Sequence, residues 1–144
     1  MIVGQILKGK AITETAGVAP DATVGDAVAI LSQKRIGALV VGTDLTHPDG
    51  ILSERDVVRE LGRQGPSVLD LPVSDLMTRK LITCRPNHTA LEVLEQMTQG
   101  RFRHMPVMDG DMMIGLVSIG DVVKARLEEL AMERNALEGM IMGH

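Results

Sequence analysis

The sequence predicts an α/β fold of the α+β type: two copies of one small unit, each a three-stranded sheet with helices, packed as a pseudo-twofold pair. Three observations predict it. First, the chain repeats itself. Gly50 opens the stretch G-I-L-S-E-R-D-V-V-R and Gly115 opens G-L-V-S-I-G-D-V-V-K, 65 residues further on, while Pro20–Val41 aligns with Pro86–Val107 at a spacing of 66. Second, the hydrophobic period changes in the same order in both copies: strand, helix, strand, strand, helix. Third, a unit of about 65 to 70 residues is too small to bury its own core well, so two must pack together.

Each element has a local reason. A short helix opens each copy, Val3–Leu7 and, by a looser match, Val73–Met77. An apolar stretch follows, around Val18 and over Leu81–Cys84, and ends before Pro20 or Pro86, where helix is disfavoured. Thr23 and Thr89 stand at helix N-cap positions. Behind them Val24, Ala27, Val28 and Leu31, and likewise Leu91, Leu94 and Met97, recur at helical spacing. Ala38–Val41 and His104–Met108 read as strands. The turn after the first is long, Gly42–Asp49; after the second it is the tight Asp109-Gly110-Asp111, a hairpin signal. Short strands follow (Ile51-Leu52 and Leu116-Val117), then a Ser and a downstream Asp that open the last helix. Residues 1–70 make the first repeat, 71–130 the second, and 131–144 a C-terminal helical extension.

Composition removes several function classes. The 144 residues contain one Phe, no Trp and no Tyr, so Leu, Ile, Val, Ala and ten Met build a soft core. The net charge of −4 gives no global basic field for nucleic acid, and base-stacking platforms are missing. No apolar run approaches the ~20 residues of a membrane span. Met1–Lys10 carries no signal-peptide pattern, and the single Cys84 forms no internal disulfide, so a cytoplasmic location is expected.

The repeated heptad Gly-apolar-apolar-Ser-x-x-Asp carries the chemistry. Its Gly lets a ligand approach the backbone closely. Ser53 and Ser118 end a strand and start a helix, whose free N–H groups and partial positive charge suit phosphate. Asp56 and Asp121, three residues on, can accept two hydrogen bonds from a ribose diol. Arg59 and Lys124 come three residues later, about one turn along the same face, within reach of phosphate oxygens. Diol acceptor, phosphate donors and an apolar slot from the preceding strands describe an adenosine nucleotide site. The alternative is structural: Ser-x-x-Asp is also a helix capping box. Two copies in matching contexts favour the ligand.

The paired motifs resemble those of a tandem CBS-domain pair, the Bateman module, over residues 1 to about 130. The layout is similar to small bacterial stand-alone CBS proteins. The resemblance implies binding of AMP, ATP, NAD(H) or S-adenosylmethionine in clefts between the repeats, AMP foremost, with Ser53 and Asp56, and Ser118 and Asp121, on the riboses. It implies a regulatory rather than catalytic role, exerted through a protein partner or a rearranging homodimer. The two motifs differ. Repeat two has Arg103-His104 where nucleotide-sensing members carry phosphate-contacting basic residues; repeat one has Gly37-Ala38 there, and instead has Arg55 where repeat two has Gly120. Ile36, Ala38, Thr83 and Pro106 complete the candidate ligand-contacting set. The competing readings are a dimerisation or adaptor domain with empty clefts, and an enzyme with an unrecognised site.

Other residues carry less. His47, His88, His104 and His144 show no metal-ligand spacing, Met105, Met108, Met112 and Met113 read as packing, and Cys84 as a small buried apolar residue. On the last helix Val123, Leu127, Leu130, Leu137 and Ile141 keep heptad spacing, broken by Arg134. That stripe fits either packing on its own module or, the preferred expectation, a homodimer.

Overall fold

The computed structural model describes residues 1–10 and 15–142; His144 lies outside them. In chain order the elements are α1 (Val3–Lys8), β1 (Gly17–Val18), α2 (Val24–Lys34), β2 (Ala38–Val41), β3 (Gly50–Ser53) and α3 (Glu54–Gln64). Two 3₁₀ turns follow, Pro66–Asp70 and Val73–Asp75, then α4 (Ala90–Gly100), β4 (His104–Asp109), β5 (Met112–Ser118) and α5 (Ile119–Ile141). The mixed α/β architecture is the expected one. Among the described residues no helix is long and apolar enough to cross a membrane.

The repeat is visible bond by bond. Thr23 caps α2 by accepting the Asp26 N–H at 3.0 Å, and Thr89 caps α4 by accepting the Glu92 N–H at 3.1 Å. Both helices close on an arginine in left-handed backbone, Arg35 (φ 53°) and Arg101 (φ 55°), a position that usually selects glycine. β1 pairs parallel to β2, and β2 antiparallel to β3 with Ala38 opposite Ser53. β4 pairs with β5 across a turn that Gly110 makes at φ 63°.

The second repeat departs from the expected three strands. Its first strand, expected over Leu81–Cys84, narrows to one parallel bridge, Cys84 with Val107. Cys84 donates its N–H to Pro106 O at 3.0 Å and accepts from Met108 N–H at 2.8 Å. Ile82 and Thr83 are exposed, so nothing pulls them onto the sheet, and Pro86 follows without a donor.

The opening segments are exchanged. Val3 and Gly4 donate to His88 O and Pro86 O at 2.8 and 2.9 Å, on the body of the second repeat. Their repeat mates Val73 and Ser74 donate to Ala22 O and Pro20 O at 2.8 and 3.0 Å, on the body of the first. The chain accordingly divides into two compact units. One combines α1 with Thr83–Asp109 and the chain from Gly115 onward; the other holds β1 to Ile82 together with Gly110–Ile114. Each has its own core. Val24, Ala27, Leu31, Leu39, Val41, Leu52, Val68 and Val73 fill one, and Val3, Ile6, Ala90, Met97, Met105, Val107, Val117 and Val122 the other. Burying a Val, Leu or Met side chain is worth roughly 1.5–3 kcal/mol, so methyl-rich packing replaces the missing aromatics.

Candidate functional site

Each Ser–Asp motif sits where a strand becomes a helix. Ser53 and Ser118 hold extended backbone (φ −103° and −96°), and α3 and α5 begin at the next residue. Both motifs form complete capping boxes. Asp56 Oδ2 accepts the Ser53 N–H at 3.0 Å while Ser53 Oγ accepts the Asp56 N–H at 3.2 Å. Asp121 Oδ2 accepts the Ser118 N–H at 2.9 Å while Ser118 Oγ accepts the Asp121 N–H at 3.1 Å. The structural role is therefore real in both copies. It also locks each carboxylate in one orientation at the positive end of a helix, the preorganisation that a diol acceptor needs.

A second pair of bonds fixes the residues that precede β2 and β4. The first helical N–H of α3, at Glu54, donates to Gly37 O at 2.9 Å; that of α5, at Ile119, donates to Arg103 O at 2.8 Å. These bonds tie residues 37 and 103 to the helix starts. At that place one unit has glycine and the other an exposed arginine. His104 follows as the half-buried first residue of β4, whereas its counterpart Ala38 is buried. Pro106 is buried in β4, Ile36 is half-buried against the core, Thr83 is exposed beside Cys84, and Lys124 is exposed on α5.

The carboxylates have different cationic neighbours. Asp121 Oδ2 meets Lys10 Nζ at 3.0 Å, and the same ammonium donates to Leu116 O at 2.8 Å. Burial pushes the Asp121 carboxyl up, but the Ser118 N–H and Lys10 outweigh it and hold it below its ordinary range. Asp56 is buried, and its Oδ1 accepts from Arg59 Nη2 at 3.0 Å. Arg59, expected to meet phosphate, is held on the carboxylate of its own motif.

The repeated glycines serve a different purpose from the one expected. A Cβ on Gly50 would lie 2.7 Å from Thr78 O and 2.9 Å from Met77 Sδ, and one on Gly115 2.8 Å from Leu7 Cδ2. The chain itself fills the space reserved above for a ligand. Thr78 crosses β3 there, exchanging two backbone bonds with Ile51 at 2.8 and 3.0 Å. Sequence reasoning also missed Lys10. Its partner Leu116 is 106 residues away, and no local signal pointed to it.

The family model described as CBS domain matches residues 10–63 and 73–128, one match over each Ser–Asp motif. The chain belongs to the CBS-domain family. A CBS-domain containing protein from Agrobacterium tumefaciens is 40% identical, covers 88% of this chain and 99% of its own, and superposes with a TM-score of 0.83. The structure of CBSX2 in complex with AMP is 27% identical with a TM-score of 0.72, over 88% of this chain and 96% of that one. The mitochondrial CBS domain-containing protein CBSX3 of Arabidopsis thaliana is 42% identical over 127 residues, 85% of this chain. The chain spans 62% of the length of that relative.

Proposed function

We propose that the protein is a regulatory module that binds an adenine nucleotide at its Ser–Asp motifs and is not itself a catalyst. The observation that carries this reading is the duplicated carboxylate, fixed by a helix-start N–H and met by a cation in each copy: Lys10 on Asp121 and Arg59 on Asp56, with the Arg103 backbone tied to the start of α5. The CBSX2 structure, which holds AMP on the same fold, supports it. Residues 1–70 and 71–130 act as the two repeats, with 131–144 as an extension. Ser118 and Asp121 take the ribose, and Arg103, His104 and Lys124 the phosphate. Ser53, Asp56 and Arg59 form the weaker phosphate site. Ile36, Ala38, Thr83 and Pro106 line the approaches. AMP is the first ligand; ATP, NAD(H) and S-adenosylmethionine follow. The signal passes through a protein partner or a homodimer, and the exposed apolar stripe on α5 supports the dimer. A location in the cytoplasm fits the single reduced Cys84. The experiment is mass spectrometry of small molecules released from the purified protein, with thermal shifts by AMP, ATP, NADH and S-adenosylmethionine. An adenine-containing ligand, or a shift by one of the four, is expected. No released ligand and no shift overturns the reading.

A further inference from the structure

We propose that the exposed half of α5 forms an antiparallel two-helix seam with a second copy of this chain; the inference rests on the homodimer reading above. On α5 only Val122 and Ala125 are buried. Val123 is 39% exposed, Leu127 61%, Leu130 44%, Leu137 61% and Ile141 80%. These five share one seam at heptad spacing, and beyond Glu129 almost every described side chain is in water. A helical stretch of about a dozen residues is marginal alone, so it needs cover.

The charged residues choose the cover and its direction. In a parallel, in-register pair Arg134 would oppose Arg134 inside the seam, and Glu133 would flank Glu138 of the second copy. In an antiparallel pair centred on residue 132, Val123 opposes Ile141 of the second copy and Leu127 opposes Leu137. Arg134 then packs its stem on Leu130, and Lys124 flanks Glu138, forming an opposite-charge pair at each end. One like-charge contact remains, Glu133 with Glu133. Glu138 can turn to Lys124, because its contact with Arg134 is 3.8 Å long between side chains 61% and 73% exposed.

Disulfide trapping in the full chain tests the direction. Cys84 does not compete, since it is buried and its thiol is pushed up to about 11. Leu127→Cys and Leu137→Cys, mixed and mildly oxidised, are expected to give the mixed cross-linked dimer, and each variant alone far less. Leu137→Glu, at an exposed position that leaves the fold intact, is expected to raise the dimer dissociation constant at least tenfold in sedimentation experiments. Efficient cross-linking of Leu127→Cys alone overturns the antiparallel seam. An unchanged dissociation constant for Leu137→Glu overturns the seam and leaves the homodimer standing. A wild-type mass of one chain at 100 µM overturns both.

Discussion

Replacing Asp121 by Asn separates the two roles of the motif. The amide keeps an oxygen for the Ser118 N–H, now 2.9 Å from Oδ2, but loses the charge that Lys10 meets at 3.0 Å. At this third helical position the Asn oxygen can keep the capping-box bond, while the lost first-turn charge and the lost partly exposed ion pair are each worth about 0–1 kcal/mol, so stability should fall by no more than about 2 kcal/mol. A ribose diol bound to a carboxylate makes charged hydrogen bonds worth about 1.5–3 kcal/mol. AMP affinity should therefore drop about 10- to 150-fold, far more than stability predicts. Titration calorimetry reads the affinity and urea unfolding the stability. Asp26→Asn is the control: Asp26 closes a similar capping box with Thr23, at 3.0 and 3.4 Å, away from either motif. Equal AMP affinity for wild type and Asp121→Asn would refute the ribose role. Equal losses in the Asp26 and Asp121 variants would show that only the helix start matters.

Three further outcomes follow from the same geometry. If Arg103 takes the phosphate as proposed, Arg103→Ala should cost about 1–3 kcal/mol in affinity for AMP and little for adenosine, which has no phosphate to lose; calorimetry with both ligands checks this, and equal losses would refute it. Asp121 is held below its unfolded value of about 3.9, so its contribution to stability is present above that value and is lost as pH falls through the lower folded one. The gap in urea midpoint between wild type and Asp121→Asn should narrow as the pH falls below about 4, and a constant gap would contradict the assignment. Gly50→Ala should destabilise by about 1–3 kcal/mol through its clash with Thr78 and Met77, whereas Gly62→Ala should stabilise by up to about 1 kcal/mol, measured by thermal unfolding. Gly62 lies within α3 with nothing inside 4 Å of the added methyl.

The sequence made legible whatever is local and written twice. Thr23 and Thr89 marked the starts of α2 and α4, and Ser53 and Ser118 the starts of α3 and α5, because caps depend on residues three apart. The α/β class followed from the same punctuation. Long-range partners were not legible. Val3 donates to His88 O and Gly4 to Pro86 O, partners in the other half of the chain, so the exchange of the opening segments left no local trace. Lys10 reaches Asp121 across an even longer stretch of chain, and Arg59 looked free for phosphate until its Asp56 contact was seen. The glycines misled for a related reason: a missing Cβ reports that something comes close, not whether it is ligand or chain.

The central claim is that these motifs hold an adenine nucleotide. Titration of AMP into wild-type protein freed of bound ligand tests it most directly. The account predicts saturable binding that is lost from the Asp56→Asn, Asp121→Asn double variant, while that variant still unfolds cooperatively. Absence of saturable binding to the wild type, or undiminished binding to the double variant, would contradict it.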